Sequence, residues 1–183
     1  MSKGDFVNNL QEIRKRAREH ILQGAVTEGY RANRGVVIKI LNEALATEIV
    51  CVLRYKRHFF MAQGIDAANA AQEFSQHALE EQAHADQISL RITQLGGAPN
   101  YSPVGLVERS HSEYTEGNGL SEMIQEDLIA ERIAIDSYSE MIRYVGEDDV
   151  TTRRMLEGIL ASEEEHANDM ATLLEKMNPG PSK

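Results

Sequence analysis

Residues 156–177 read LEGILASEEEHANDMATLLEKM, and their apolar side chains recur at alternating steps of four and three residues. This spacing is typical of an amphipathic helix that packs in a bundle. One position of the apolar stripe carries a glutamate instead, Glu163, and His166 follows it three residues later. Residues three apart share one face of a helix, so the sequence predicts that both side chains point toward the core.

Three other stretches repeat the pattern, each with one glutamate in an apolar stripe. They are residues 41–59 with Glu48, residues 74–95 with Glu81 and then His84, and residues 124–145 with Glu131. The spacing within each pair is nearly the same, 33 positions from Glu48 to Glu81 and 32 from Glu131 to Glu163. None of the four stripes contains Lys or Arg.

Two glycines and one long connection predict how the four helices are joined. Gly64 and Gly146 lie near the midpoints of the two glutamate pairs, where a chain turn would bring each pair level. Between the hairpins lies LGGAPNYSPVGLVERSHSEYTEGNG, a Gly/Pro-rich connection of about two dozen residues. Antiparallel neighbours would need only about two to eight residues, so the second and third helices are expected to run parallel. We therefore predict an all-α fold, a four-helix bundle with one long crossover of the ferritin-like kind.

Four carboxylates at one height in an apolar core predict a metal site. Buried charges must be paired or bound to metal, and two divalent cations would balance four negative charges. A set of carboxylates and imidazoles without thiolate suits iron or manganese. Two ions bridged by carboxylates lie about 3.5–4 Å apart. Our hypothesis is that Glu81 and Glu163 bridge, while Glu48 with His84 and Glu131 with His166 each complete one ion.

Further side chains near the predicted site are assigned by spacing alone. Tyr55 and Tyr138 lie seven residues after Glu48 and Glu131 and are expected to donate a hydrogen bond or an electron, or else to pack as core aromatics. Asp127, one turn before Glu131, is expected to accept a hydrogen bond from a ligand histidine. His58 and His77 are interpreted as surface or structural residues, and Cys51 as a small buried hydrophobe.

Length, charge and composition bound the remaining possibilities. A chain of 183 residues with 42% hydrophobic residues is expected to form one domain, residues 35–178, between an extension over 1–34 and a tail over 179–183. The extension is predicted to contain a short basic helix over roughly residues 5–22. One cysteine excludes an intrachain disulfide framework. No apolar run approaches the ~18 residues of a membrane span, so we predict a cytoplasmic protein with no membrane contact.

The residues around these glutamates resemble the ferritin-like superfamily, and most specifically bacterioferritin. The resemblance covers about residues 36–178 and is carried by four segments: LNEALATEIVCVLRY, LEEQAHAD, DLIAERIAIDSY and ASEEEHANDM. It implies an intra-subunit di-iron centre that oxidises Fe(II) with O₂ or H₂O₂, and a homo-oligomeric cage that stores ferric mineral. Carried onto this chain, the family's ligands are Glu48, Glu81, His84, Glu131, Glu163 and His166, and Tyr55 matches its catalytic tyrosine. Two iron ions per subunit are implied, for which manganese or zinc can substitute in vitro.

Three departures from bacterioferritin modify these expectations. The residue after Glu81 is Gln82, where haem-binding members have a methionine that ligates the haem iron, so we do not expect haem. Only 17 residues follow His166, and about 30 precede the first bundle helix. Both end differences favour a smaller cage, which leaves 12 and 24 subunits open and suggests a Dps-like protein with a bacterioferritin-type centre.

Two alternative functions remain open from the sequence. The first is a stand-alone di-iron or di-manganese redox enzyme of the peroxidase, catalase or oxygenase type, without mineral storage. The second is DNA binding by the basic extension, in which residues 1–39 carry eight Lys/Arg against four acidic residues, a net charge of +4. Because the acidic residues Glu12 and Glu19 flank the basic run Arg14–Arg18, we rank a solvated helix face above a DNA contact.

Overall fold

The computed structural model describes residues 9–64 and 67–177. Within these ranges the chain forms helices and no strand. The helices are α1 (Leu10–Arg16), α2 (Arg34–Met61), α3 (Ala68–Gln94), α4 (Leu106–Arg109), α5 (Leu120–Val145) and α6 (Val150–Met177), with one 3-10 turn at Ile21–Gln23. The four long helices are the four predicted segments, which confirms the all-α bundle.

The bundle consists of two hairpins, α2 with α3 and α5 with α6, packed against each other. The first hairpin turns after α2 through Gly64, whose φ is +100°. The second turns at Gly146, which follows α5 directly and has φ +51°. A glycine adopts this left-handed backbone region without the steric cost that a side chain imposes.

The long crossover joins α3 to α5 along residues 95–119, and it is held on α2. Asn42 accepts a hydrogen bond from the backbone N–H of Asn100 at 2.7 Å, and Thr47 accepts one from that of His111 at 2.9 Å. Further along α2, Arg54 donates to the carbonyl of Glu113 at 3.0 Å. The crossover therefore returns the chain to the end of the bundle where α3 began, and α3 and α5 run parallel as predicted.

Two apolar layers fill the interior, one toward each end of the bundle. The first layer contains Leu41, Leu45, Ile88, Ile92, Met141, Val145, Leu156 and Ile159 among others. The second contains Cys51, Tyr55, Phe74, Ala78, Met123, Ile124 and Met170. Each long helix contributes to both layers, and on each helix the predicted glutamate lies between the two contributions. The polar residues therefore interrupt the core at mid-height.

The N-terminal segment differs from the prediction. The helix expected over residues 5–22 is observed only as Leu10–Arg16, and residues 1–8 lie outside the described ranges. No side chain of α1 is buried, and Ile21 and Leu22 are 76% and 98% exposed. A short helix without tertiary packing is marginal in water, which accounts for its early end.

None of the helices in the described ranges is long and apolar enough to cross a membrane.

Candidate metal centre

The six residues singled out by spacing come together in the middle of the bundle. Each long helix contributes at least one of these residues, and all six residues are at most 5% exposed. They are Glu48 from α2, Glu81 and His84 from α3, Glu131 from α5, and Glu163 and His166 from α6.

The six residues form two overlapping groups of four. One group contains Glu48, Glu81, His84 and Glu163, and the other contains Glu81, Glu131, Glu163 and His166. In each group one ligand atom from every residue lies within 4.8 Å of the others. Glu81 and Glu163 belong to both groups, and this is the arrangement expected if these two carboxylates bridge.

His84 directs Nδ1 into the first group. This atom lies 3.1 Å from Glu81 Oε2, 3.1 Å from Glu163 Oε1 and 3.5 Å from Glu48 Oε2. A single nitrogen therefore faces carboxylates from three different helices.

His166 occupies the corresponding place in the second group. Its Nδ1 lies 3.3 Å from Glu81 Oε1, 3.4 Å from Glu163 Oε2 and 3.9 Å from Glu131 Oε2. The other ring nitrogen, Nε2, donates a hydrogen bond to Glu80 Oε2 at 2.7 Å. Glu80 therefore fixes the orientation in which Nδ1 faces the cluster.

The buried carboxylates retain oxygens without hydrogen-bond partners among the described residues. These atoms are Glu48 Oε2, Glu81 Oε1, Glu131 Oε2 and both oxygens of Glu163, together with Nδ1 of His166. A buried, unpaired carboxylate oxygen is costly in free energy unless it binds a cation. Oxygen and imidazole donors without thiolate suit iron and manganese, so the residues present fit a dinuclear centre.

Proton binding sets the charge of this cluster when it holds no metal. Burial, then the neighbouring Glu81, raises the pKa of Glu48 to about 8. Burial also raises the pKa of Glu131 well above its usual value. Burial acts in the same direction on Glu81 and Glu163, but hydrogen bonds from the two histidines outweigh it and lower both pKa values.

For the two histidines of the cluster, burial and the neighbouring carboxylates shift the pKa in opposite directions. Burial acts to lower their pKa values, but the surrounding carboxylates outweigh it and raise the pKa of His84 to about 12 and that of His166 to about 11. At neutral pH Glu48, His84 and His166 are then protonated in the metal-free cluster, so divalent cations that bind there displace protons.

Two tyrosines bond the cluster reciprocally. The hydroxyl of Tyr55 on α2 donates to Glu131 on α5, and the hydroxyl of Tyr138 on α5 donates to Glu48 on α2. Both tyrosines are fully buried, and burial raises the pKa of each phenol well above its usual value. Both phenols are therefore neutral and act as hydrogen-bond donors, which is one of the alternatives that the sequence left open.

His77, which the sequence placed among surface or structural residues, lies beside the cluster. Its ring stacks on His166 with centroids 4.0 Å apart, and its Nδ1 lies 3.3 Å from the Tyr55 hydroxyl. Burial, with a contribution from His166, lowers the pKa of His77 to about 4. Its position four residues before Glu81, on the same helix face, was the signal in the sequence.

Asp127 does not serve a ligand histidine, so that prediction was wrong. Its carboxylate pairs with Arg54 Nε at 2.8 Å and with His58 Nδ1 at 2.8 Å. All three residues are buried, and His58 also bonds the carbonyl of Glu116 at 3.1 Å. This network joins α2, α5 and the end of the crossover, and its role is structural.

Gln82 and Cys51 also have defined places. Gln82 is exposed on α3 and donates to Asp86 at 3.1 Å, so its side chain lies outside the cluster. The expected lack of haem stays a prediction. Cys51 is buried, and its sulfur accepts a hydrogen bond from Arg54 at 3.4 Å.

Comparisons with known proteins agree with this architecture. A family model described as ferritin-like domain matches residues 38–179. The bacterioferritin of Mycobacterium tuberculosis is 31% identical over 143 residues, which cover 78% of this chain and 86% of that protein.

Two solved structures have the same fold. The dodecameric thioferritin of Bacteroides fragilis, a bacterioferritin-related protein, matches with a TM-score of 0.77 and 30% identity, over 81% of this chain and 89% of that one. The Dps of Thermosynechococcus elongatus matches with a TM-score of 0.74 over 81% of this chain and 97% of that one, and at 19% identity it supports the fold alone. The chain therefore belongs to the ferritin-like family, with bacterioferritins among its relatives.

Proposed function

We propose that the protein is a ferroxidase that stores or detoxifies iron. Two Fe(II) ions are its substrates, and the six buried side chains of the dinuclear site bind them. With O₂ as oxidant, the two ferrous ions give up one electron each, and O₂ takes both electrons and two protons to become H₂O₂. With H₂O₂ as oxidant, the same two electrons and two protons yield two water molecules. Ferric product is then stored as mineral within a homo-oligomeric cage.

The observation that carries the proposal is the pair of overlapping groups around Glu81 and Glu163. Carboxylates shared by two groups hold two ions at the short separation that two-electron chemistry requires. The oxygens without hydrogen-bond partners among the described residues support the same interpretation, because a buried oxygen of this kind is costly in free energy unless it binds a cation. We assign Glu48, Glu81, His84, Glu131, Glu163 and His166 as the iron ligands.

Tyr55 is assigned as the catalytic tyrosine. Its hydroxyl contacts Glu131 and lies 3.3 Å from His77 Nδ1, so it links a proposed ligand to a second buried imidazole. A phenol in this place orients the carboxylate and is within reach to supply an electron to the site.

Stopped-flow measurement of Fe(II) oxidation tests the activity. The double variant Glu81→Gln/Glu131→Gln keeps the side-chain shapes but removes two of the four negative charges. We expect it to lose rapid oxidation, while a control at an exposed acid of α5, Asp136→Asn, oxidises Fe(II) at the parental rate. Unchanged kinetics in the double variant would reject the assignment.

Storage is tested separately by the mass of the native assembly. The similarity to a protein described as a dodecamer supports a cage of 12 subunits in preference to 24. Light scattering and electron microscopy after iron loading should show hollow particles with an electron-dense core. A monomer or dimer with intact oxidation would instead support the stand-alone redox enzyme.

A further inference from the structure

A second group of metal-type ligands lies on the surface side of the dinuclear site. Glu73 and His77 stand one turn apart on α3, and Asp169 stands on α6 three residues after His166. One ligand atom from each of the three lies within 4.8 Å of the others. The side chains of Glu73 and Asp169 are 34% and 44% exposed, whereas that of His77 is 1% exposed.

The two nitrogens of His77 face different neighbours. Nδ1 lies 3.3 Å from the Tyr55 hydroxyl, whose own hydrogen is donated to Glu131. The Tyr55 oxygen can therefore only accept from His77, which places the imidazole proton on Nδ1. In the neutral imidazole Nε2 then keeps a free lone pair, and Glu73 and Asp169 are the acidic neighbours of this nitrogen.

The distances around Nε2 suit a shared cation better than a hydrogen bond. Nε2 lies 3.5 Å from Asp169 Oδ2 and 3.9 Å from Glu73 Oε2, longer than a good hydrogen bond. Without its proton, Nε2 also has nothing to donate to them. Two ligands that each lie about 2.1 Å from one ion are separated by roughly 3.0–3.4 Å, and a small side-chain movement reaches that range.

The group is also continuous with the dinuclear site. His77 stacks on His166, and Glu80, whose side chain is 42% exposed, bonds the outer nitrogen of His166. Three partly exposed carboxylates therefore surround two buried imidazoles, one of which faces the cluster. A cation that approaches from solvent on this side meets Glu73, Glu80 and Asp169 before it meets His166.

We propose that Glu73, His77 and Asp169 bind a third divalent cation at the entrance to the dinuclear site. Two carboxylates and a neutral imidazole balance one divalent charge and offer the mixed oxygen and nitrogen donors that suit Fe(II), Co(II) or Zn(II). That the physiological cation is Fe(II) rests on the proposed function, but the binding site itself does not. In the ferroxidase reaction this ion is the next substrate, held one side chain away from the cluster.

Cobalt(II), which O₂ does not oxidise readily at such sites, is the probe. The protein is dialysed to equilibrium with Co(II), and bound metal per subunit is measured for the intact assembly. The outer variant Glu73→Gln/Asp169→Asn is expected to bind one Co(II) fewer per subunit than the unaltered chain. The charge control Asp86→Asn/Asp136→Asn removes two exposed aspartates from α3 and α5 and should lose none.

Crystals soaked in Co(II) locate the ion. An anomalous peak bonded to His77 Nε2 is expected in the parental protein and in an inner variant, Glu48→Gln/Glu131→Gln, and not in the outer variant. Absence of that peak from the parental protein, or an outer variant with unchanged stoichiometry, overturns the third site. If the outer variant loses Co(II) from the outer site alone and keeps two ions in the cluster, the third site is supported independently of the ferroxidase proposal. If the inner variant keeps both cluster ions, the ferroxidase assignment fails while the third site stands.

Kinetics provide a second readout. If the site concentrates Fe(II) at the entrance, the outer variant should oxidise Fe(II) about tenfold more slowly at low concentration. At saturating Fe(II) its maximal rate should match the parental rate, because the ligands of the cluster are intact. Equal rates at low Fe(II) would show that cation delivery does not depend on these residues.

Discussion

Tyr55 on α2 donates a hydrogen bond to Glu131 on α5, and each residue has a counterpart in the other hairpin. Seven residues before Tyr55 stands Glu48, which accepts the hydrogen bond of Tyr138, and Tyr138 itself follows Glu131 by seven residues. The two hairpins thus exchange equivalent contacts across the dinuclear site. The symmetry is incomplete, since only the Tyr55 hydroxyl also lies against His77.

This asymmetry predicts different behaviour for two otherwise matched variants. Tyr55→Phe and Tyr138→Phe each remove one hydroxyl that orients a proposed ligand. Loss of such a partner typically lowers metal affinity or activity about 10- to 100-fold. We expect both variants to bind Co(II) more weakly, but only Tyr55→Phe should also disturb His77 and the outer ion. Tyr144→Phe, at an exposed tyrosine of the same helix as Tyr138, is the control.

Proton-linked stability gives the second prediction. In the metal-free protein Glu48 has a raised pKa of about 8, and His84 and His166 have raised values of about 12 and 11. A group whose pKa is raised on folding stabilises the protein below its unfolded pKa, and that contribution is lost as pH rises toward the folded pKa. Metal-free protein should therefore become less stable between pH 7 and pH 9.

Thermal unfolding with chelator present measures this effect. A loss of about 1 kcal/mol corresponds to a fall of roughly 2–4 °C for a chain of this size. Protein loaded with Co(II) should show a smaller fall, because metal binding releases protons and strengthens with pH. The variant Glu48→Gln, which mimics the protonated acid, should have a shallower pH dependence. A melting temperature that rises from pH 7 to pH 9 without metal would contradict the proposed charge state.

The features that followed from sequence are those that depend on one helix at a time. The period of each apolar stripe located the four helices, and the interruption of each stripe by one glutamate located the polar layer. Matched intervals then predicted that Glu81 and Glu163 lie level, because each hairpin repeats the same geometry. The length of the crossover was enough to orient α3 and α5.

What sequence did not predict depends on how the helices are rotated about their axes. The sequence analysis assigned no role to Glu80, which adjoins Glu81, yet the packing of α3 against α6 brings its carboxylate to His166. Asp127 was assigned to a histidine of the cluster from its spacing to Glu131 alone, and its observed partner Arg54 stands outside the apolar stripe of α2. A partner on another helix leaves no periodic signal in either segment.

The contact between Glu80 and His166 supplies the third prediction. Glu80→Ala removes the acceptor that holds Nε2 of His166, so the ring is free to turn its Nδ1 away from Glu81 and Glu163. We expect the affinity for one of the two Co(II) ions to fall about 10- to 100-fold. Glu80→Gln keeps an acceptor oxygen and should restore most of the affinity.

The cobalt absorption spectrum distinguishes positioning from a general loss of structure. The spectrum should change for one ion and stay the same for the other, and the melting temperature of the metal-free protein should change little. The control is Glu164→Gln, at an exposed neighbour of Glu163 on α6. If Glu80→Gln is as defective as Glu80→Ala, the hydrogen bond is not what positions His166.

The buried pair of Arg54 and Asp127 gives the last prediction. Both side chains are fully enclosed, and His58 depends on the same carboxylate. Removing one partner of a buried ion pair leaves an uncompensated charge and typically costs about 3–5 kcal/mol. We therefore expect Asp127→Ala to lower the free energy of unfolding by this amount and to loosen residues 113–116 of the crossover.

Hydrogen exchange at these amides and chemical unfolding at fixed subunit concentration measure the two effects. The double variant Arg54→Leu/Asp127→Leu should be less destabilised than Asp127→Ala, since no charge is left unpaired between α2 and α5. If the single and double variants lose equal stability, packing and not charge pairing holds the crossover to the bundle.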